Sequence, residues 1–148
     1  MIIRQASLVD AHLIAPLFDG YRQFYGYPPD PAVALGYIEA RLSQQESIIF
    51  VAQTQGTLQG FTQLYWSFCS LDATKIVILY DLFVASRARQ QGIGRQLMQM
   101  ACNYAFDHGA GRVDLSTAKD NLAGQHLYES LGFRRSLDDF YGYSRYPE

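Results

Sequence analysis

A glycine-containing turn near the middle of the chain has the residue types needed to hold a phosphate. It runs from Arg89 to Gly94 with the sequence RQQGIG. The run before it, Ile76 to Val84, is almost wholly apolar and rich in β-branched residues, as in a strand covered on both faces. After the turn, apolar residues recur at helical spacing. Glycine lets the backbone approach a ligand, and helix amides point outward from the positive end of the helix dipole. The turn therefore predicts a pyrophosphate site.

Two other phosphate-binding motifs fit this turn poorly. A P-loop ends in Gly-Lys-Ser or Gly-Lys-Thr, whereas Gly94 is followed by Arg95 and Gln96. A dinucleotide-binding fingerprint needs a third glycine where this chain has Leu97, and too little chain follows for the usual unit. Taken alone, the turn is also compatible with a tight strand-to-helix connection that binds nothing.

A second motif lies downstream, from Asn121 to Phe133, with the sequence NLAGQHLYESLGF. The two segments together resemble the signature motifs of the GNAT superfamily of acyl-CoA-dependent N-acetyltransferases. The first family motif, Arg/Gln-x-x-Gly-x-Gly/Ala, is matched by Arg89, Gly92 and Gly94. The second runs from an Asn through a Leu-Tyr pair to Gly-Phe. In pattern the chain is closest to the branch that acetylates polyamines and similar small amines.

The order of elements matches that family. The resemblance implies an α/β (α+β) fold with a central mixed, splayed sheet of about seven strands and about four helices, in one domain spanning residues 1–148. The patterns predict strands at 2–5, 47–53, 58–68, 76–84, 112–116, 133–136 and 140–146. They predict a first helix that is capped by Ser7 or Asp10 and runs to about Phe24, and further helices at about 32–43, after Gly94, and at 122–131.

Composition excludes several classes of protein. The 148 residues are 49% hydrophobic and 18% charged, as in one globular domain. A net charge of −2 argues against a general nucleic-acid binder. No apolar run approaches the ~20 residues of a membrane helix, and no secretory signal is evident, which predicts a cytoplasmic location. Cys69 and Cys102 form neither a disulfide framework nor a metal-binding spacing, so no metal is expected.

Acetyl transfer needs a group that removes a proton from the amine and a group that protonates the departing thiolate. The resemblance assigns the second role to Tyr128. Small-amine acetyltransferases tend to carry a Glu-Asp pair in the central strand, where this chain has Tyr80 and Asp81. A carboxylate in so apolar a strand is either functional or satisfied by backbone and hydroxyl donors. Strand alternation predicts that Tyr80 and Asp81 lie on opposite faces, so that at most one of them faces the amine.

The resemblance also implies how CoA is held. In the family, the pantetheine arm inserts between the splayed strands and pairs with amides near Leu82, Phe83 and Val84. Asn121 is expected to hydrogen-bond the same arm, or to act as a plain helix N-cap, or both. The cofactor-binding residues predicted for acetyl-CoA are Leu82, Phe83, Val84, Arg89, Gln90, Gln91, Gly92, Ile93, Gly94, Arg95, Asn121 and Tyr128.

Aromatic residues crowd two regions that flank the acceptor in this family. The predicted substrate-binding residues are Tyr21, Tyr25, Tyr27, Tyr65 and Trp66. Their rings are suited to an alkylammonium, although such clusters also serve as core. Few carboxylates accompany them, which favours a monoamine, an amino acid or a lysine-like side chain over a polyamine. No cysteine has a nucleophile's setting, so direct transfer in a ternary complex is expected. Acetylation of a protein lysine or N-terminus, and a non-catalytic acyl-CoA-binding module, are the alternatives.

The end of the chain, from Asp139 to Tyr146, has the sequence DFYGYSRY with four aromatic residues. A terminal strand with that much apolar surface invites pairing with another chain. The sequence therefore predicts a homodimer. The alternative is a strand that packs wholly within its own chain.

Overall fold

The structure, a computed structural model, describes residues 1–136 and 141–147. These fall into two compact units, Met1–Ser116 and the residues from Thr117 onward, which we describe separately. The strands of the first unit are β1 (Ile2–Gln5), β2 (Ile48–Thr54), β3 (Thr57–Cys69), β4 (Thr74–Val84) and β5 (Val113–Asp114). Its α-helices are α1 (Ala11–Phe24), α2 (Pro31–Ser43) and α3 (Ile93–Asp107), and the second unit contains α4 (Leu122–Ser130). None of the described helices is both long and apolar enough to cross a membrane.

The five strands form one mixed sheet in the order β1-β2-β3-β4-β5. The first four are joined antiparallel, and β5 runs parallel to β4. The predicted class and the four helices are confirmed, but the prediction of about seven strands is wrong for the described residues. Residues 133–136 and 141–146 form no strand, and Phe140 lies outside the described residues. A strand requires a neighbour that completes its backbone hydrogen bonds, and an apolar sequence pattern does not supply one. The prediction of a single domain stays a prediction.

Helices cover both faces of the sheet. Ile49 and Val51 point into a core formed with Ile14 of α1 and Ile38 of α2. Phe50, between them in β2, points the other way, where its ring centroid lies 5.5 Å from that of Tyr104 of α3. This alternation follows from the two-residue period of a strand. Because both faces are covered, β4 can be as apolar as its sequence indicates.

Near its carboxyl end, β4 departs from regular strand pairing on both of its edges. The register shifts so that Gln63 lies opposite Asp81 while Leu64 lies opposite Leu79, which leaves Tyr80 as a bulge. On the other edge, β5 pairs with β4 only at Val77 and Ile78. Within the described part of the first unit, β4 therefore has no strand on this edge beyond Ile78, in agreement with the predicted splay.

Candidate active site

A cavity of about 420 Å³ lies against the bulge of β4. Its walls come from α1, the loop after α1, α2, β3 and β4. The lining residues are Phe18, Tyr21, Arg22, Tyr25, Tyr27, Tyr37, Tyr65, Tyr80 and Asp81. Four of them, from Phe18 to Tyr25, share one face of α1 and its end, because residues three and four apart on a helix are neighbours.

Asp81 is the buried acid of this cavity, with 5% of its surface exposed. Gln63 Nε2 donates to Asp81 Oδ2 over 2.8 Å, and Ser47 Oγ donates to Gln63 Oε1 over 2.8 Å. Thr62 Oγ1 donates to the Asp81 backbone carbonyl over 2.8 Å. Burial raises the pKa of Asp81, and the hydrogen bond from Gln63 opposes the rise. A positioned carboxyl group whose pKa is raised is a stronger proton acceptor than an exposed one.

Tyr80 lines the same cavity as Asp81. The prediction that strand alternation separates the two residues is therefore wrong, because the bulge inserts an extra residue and breaks the two-residue period at Tyr80. The ring of Tyr80 meets that of Tyr65 edge to face, with centroids 5.7 Å apart. The bulge thus brings an aromatic side chain and a carboxylate to one wall.

Three tyrosines of the cavity have hydroxyl groups that are hydrogen-bonded to neighbours. Tyr21 Oη donates to the backbone carbonyl of Tyr80 over 3.4 Å, and the Tyr37 and Tyr65 hydroxyls are hydrogen-bonded to each other. Burial, followed by the nearby Asp81 carboxylate, raises the pKa of Tyr21, and burial together with the Tyr37 hydroxyl raises the pKa of Tyr65. Both phenols therefore stay neutral at physiological pH.

The structure brings together four of the five predicted substrate-binding residues, Tyr21, Tyr25, Tyr27 and Tyr65. Trp66 is not among the residues that line this cavity. It follows Tyr65 in β3, and its ring lies 4.6 Å from Lys75 Nζ, since successive strand residues point to opposite faces.

Sequence reasoning missed Phe18, Arg22 and Tyr37, which also line the cavity. Helical spacing from Tyr21 and Tyr25 is the signal that indicates the first two. Tyr37 lies on another helix and stacks on Phe18 with ring centroids 5.3 Å apart, a contact that no local pattern indicates.

The predicted phosphate-binding turn leads directly into α3. Gly92 is the N-cap residue, with a left-handed φ of 76°, and no side chain caps the helix. A Cβ added at Gly92 would meet no atom within 4 Å, so open space lies above the turn. Ile93 is buried and anchors the helix start, whereas Gln90, Gln91 and Arg95 are exposed. An uncapped helix start beside open space fits an anionic group such as a pyrophosphate.

Arg89 lies five residues beyond β4 and contacts the end of that strand. Its Nε donates to the Val84 carbonyl over 3.1 Å, and its guanidinium carbon lies 5.6 Å from the ring centroid of Phe83. Leu82, Phe83 and Val84 are half-buried and pair with β3 along one edge. Arg89 is thus fixed against the strand segment that the resemblance assigns to the pantetheine arm.

In the second unit, Asn121 is the N-cap of α4. Its Oδ1 accepts from the Gly124 amide over 3.1 Å, and its Nδ2 donates to Thr117 Oγ1 over 2.9 Å. The N-cap interpretation is therefore confirmed. A contact with CoA stays a prediction.

The Tyr128 to Phe133 spacing is a helix-ending motif. The Phe133 amide donates to the Tyr128 carbonyl and the Gly132 amide to the Glu129 carbonyl, each over 3.1 Å. Gly132 has a left-handed φ of 92°. The rings of Tyr128 and Phe133 are in contact, with centroids 6.3 Å apart. These are the hydrogen bonds and the apolar contact of a Schellman motif, which fixes the last turn of α4 and with it the half-buried Tyr128.

Comparisons with known proteins agree on one family. The sequence model described as "Acetyltransferase (GNAT) family" matches residues 14–133. The chain is 44% identical over 133 residues to the uncharacterized N-acetyltransferase YhfO of Bacillus subtilis, covering 90% of this chain and 89% of that protein. The crystal structure of a probable acetyltransferase superimposes with a TM-score of 0.91 at 40% identity, covering 100% of this chain and 99% of that one.

A more distant solved structure shares the fold. It is the aminoglycoside N-acetyltransferase AAC(6')-Iy in complex with CoA, with a TM-score of 0.81 and 22% identity over 97% of this chain and 94% of that one. The family model covers most of the described residues, and the relative from Bacillus subtilis spans nearly the same length. The chain therefore belongs to the GNAT family of acetyltransferases.

Proposed function

We propose that this protein transfers an acetyl group from acetyl-CoA to the primary amine of a small molecule, by direct attack in a ternary complex. The observation that carries the proposal is the buried Asp81 carboxyl in a tyrosine-lined cavity. A cavity of this volume accommodates a small amine better than a folded protein surface. CoA bound to the distant aminoglycoside acetyltransferase supports CoA as the acyl carrier. A cytoplasmic location stays a prediction.

The residues at the start of α3 suit the acyl carrier. We assign the pyrophosphate to the backbone from Gln90 to Arg95, where the helix begins uncapped beside open space. The pantetheine arm is assigned to the edge from Leu82 to Val84, where β4 has no strand partner among the described residues of its unit. A contact between Asn121 and CoA is proposed from the resemblance alone. When bound, acetyl-CoA supplies a thioester whose acyl carbon forms a bond to the amine nitrogen while its bond to sulfur breaks.

Asp81 is the proposed proton acceptor. Near neutral pH a primary amine is mostly ammonium, so one proton must leave nitrogen before attack. Gln63 holds the carboxylate through Oδ2, and Ser47 fixes the orientation of the Gln63 amide. Tyr80 is proposed to contact the acceptor from the same wall, at the position where small-amine acetyltransferases tend to have glutamate.

Two further groups complete the proposed chemistry. Amides of β4 near Leu82 to Val84 polarise the thioester carbonyl as negative charge develops on oxygen. Tyr128 donates its hydroxyl proton to the departing sulfur, which gives a neutral thiol, because a phenol can protonate a thiolate. The second proton that the nitrogen loses as the amide forms returns the tyrosinate to a phenol. The Schellman motif fixes the last turn of α4, in which Tyr128 lies.

The decisive experiment measures release of free CoA thiol from acetyl-CoA in the presence of a broad amine panel. The proposal expects at least one small amine to stimulate release above the rate with water alone. Stimulation only by peptides with a free lysine or N-terminus would overturn the small-molecule assignment. Binding of acetyl-CoA with no stimulation by any acceptor would make the protein a non-catalytic acyl-CoA-binding module.

A further inference from the structure

Arg22 carries an unused hydrogen-bond donor in the wall of the cavity. Its Nη1 is buried and has no hydrogen-bond partner among the described residues. The guanidinium lies over the Tyr27 ring, with its carbon 5.1 Å from the centroid. No ion pair to Arg22 occurs within the described residues. An unpaired buried donor is costly. Arg22 as a whole is half-buried and lines the cavity, so a rotation of its side chain would let a ligand supply the acceptor.

The cavity presents one positive and one negative side chain. Among its lining residues, as the structure describes them, Arg22 and Asp81 are the charged ones, and the others are aromatic. An acceptor that is purely cationic would bring a like charge to Arg22. A molecule with both an ammonium and a carboxylate matches both side chains, and an apolar body suits the aromatic residues of the lining.

The geometry of the guanidinium group favours a carboxylate as the anionic group of the ligand. The planar fork of arginine donates two parallel hydrogen bonds, which a carboxylate accepts in bidentate form. The face of the guanidinium lies over the Tyr27 ring, and the N–H groups along its edge are the donors proposed for the ligand. Arg22 lies on α1, the helix that also contributes Phe18 and Tyr21 to the aromatic wall.

We propose that the acceptor is an amine that also carries a carboxylate, with an apolar body as in an aromatic or aliphatic amino acid, and that Arg22 reads the carboxylate. This inference rests on the proposed function for its acetylation and extends it to a substrate class. Arg22 sets specificity, and Asp81 serves the amine.

The first test compares pairs of amines that differ in the carboxylate alone. The pairs are phenylalanine with phenethylamine, tyrosine with tyramine, and leucine with isoamylamine. The kcat/KM for thiol release is measured for the native protein, Arg22→Gln and Arg87→Gln. Arg87 is a matched control, because its Nη2 donates to the Leu58 carbonyl and it does not line the cavity.

The native protein and Arg87→Gln are expected to prefer the carboxylated member of at least one pair by about 10-fold or more, the range of a charge-assisted hydrogen bond. Arg22→Gln is expected to lose that preference because its kcat/KM for the carboxylated member falls, while its kcat/KM for the bare amine stays within about threefold of the native value. Equal kcat/KM for both members of every pair in the native protein would overturn the proposal. So would an equal loss on both members in Arg22→Gln, which would make Arg22 structural.

A binding measurement separates this inference from acetyl transfer itself. 3-Phenylpropanoate has the carboxylate and the body of phenylalanine but no amine. It is expected to raise the melting temperature of the native protein and of Arg87→Gln, and to leave that of Arg22→Gln unchanged. If no amine stimulates thiol release and this pattern still appears, the cavity reads carboxylates but the proposed function fails. Absence of any rise in the native protein at millimolar probe would refute the role of Arg22.

Discussion

Replacing Asp81 by asparagine separates the chemistry of this side chain from its packing. The amide has nearly the volume of the carboxyl group and can still accept the hydrogen bond from Gln63 Nε2. It cannot accept a proton from an ammonium group. If Asp81 is the base, Asp81→Asn removes a general base contribution of about 100-fold to 10⁴-fold in turnover. That range equals about 2.7 to 5.4 kcal/mol of activation free energy.

Asp81→Asn is expected to lower turnover but not the stability of the fold at pH 7. Burial raises the pKa of Asp81 in the folded protein, so the ionised side chain is less favourable there than in the unfolded chain. Each unit by which the pKa in the folded protein exceeds that in the unfolded chain lowers the free energy of unfolding by about 1.4 kcal/mol at neutral pH. The stability associated with the protonated group is present below the unfolded pKa and is lost as pH rises through the folded pKa. We therefore expect Asp81→Asn to unfold at an equal or higher denaturant concentration at pH 7, with the gain shrinking as the pH is lowered.

The assay records kcat against pH by thiol release and the free energy of unfolding by denaturant titration at two pH values. Native turnover should fall on the acid side as Asp81 takes up a proton, at a pH above the ordinary carboxyl pKa because burial raises it. That limb should be absent or displaced in Asp81→Asn.

Asp19→Asn is the matched control. Asp19 is also buried, with 7% exposed, but its oxygens accept from the Asp30 amide over 2.9 Å and from Gln23 Nε2 over 3.1 Å. An amide there leaves one of two donors without an acceptor, so stability should fall by about 1 to 3 kcal/mol with turnover retained. The reasoning is refuted if Asp81→Asn keeps native turnover across the pH range. Lower stability at pH 7 with normal turnover would make Asp81 a structural residue.

Three further predictions concern the acid, the cofactor and the assembly. Tyr128→Phe should keep the fold and acetyl-CoA affinity and lower turnover by about 100-fold or more, and an unchanged kcat would reduce Tyr128 to a packing residue. Gly92→Asp should weaken acetyl-CoA binding by about tenfold or more in calorimetry, whereas Gly92→Asn should not, because asparagine tolerates the same left-handed backbone and adds no charge. Equal affinities of the two variants would show that the pyrophosphate does not bind at this turn. Light scattering should give a mass of about twice the 16.8 kDa of one chain, because the described tyrosines of the terminal segment, Tyr141, Tyr143 and Tyr146, are exposed. A mass near 16.8 kDa that is unchanged on tenfold concentration would exclude the dimer.

Features that depend on neighbouring residues in the chain could be predicted from the sequence. The turn before α3 and the cap of α4 by Asn121 belong to this group, and both occur where predicted. Their residues act on backbone angles and hydrogen bonds within a few positions of themselves, through left-handed glycines and side-chain caps. The same holds for the four helices and the first four strands, whose hydrophobic periods are long enough to be distinct.

Features that depend on pairing between distant segments required the tertiary structure. The bulge at Tyr80 arises from the register of β3 against β4, and it reverses the expectation that Tyr80 and Asp81 face opposite sides. Hydrogen bonds from Ser47 to Gln63 and from Gln63 to Asp81 join three strand regions that no sequence spacing relates. Arg22 becomes notable only because its Nη1 is buried without a partner beside that carboxylate's cavity. Residue types and local periods determine which elements form, whereas burial, register and the orphaned donor exist only once those elements pack, because each is a property of contacts between them.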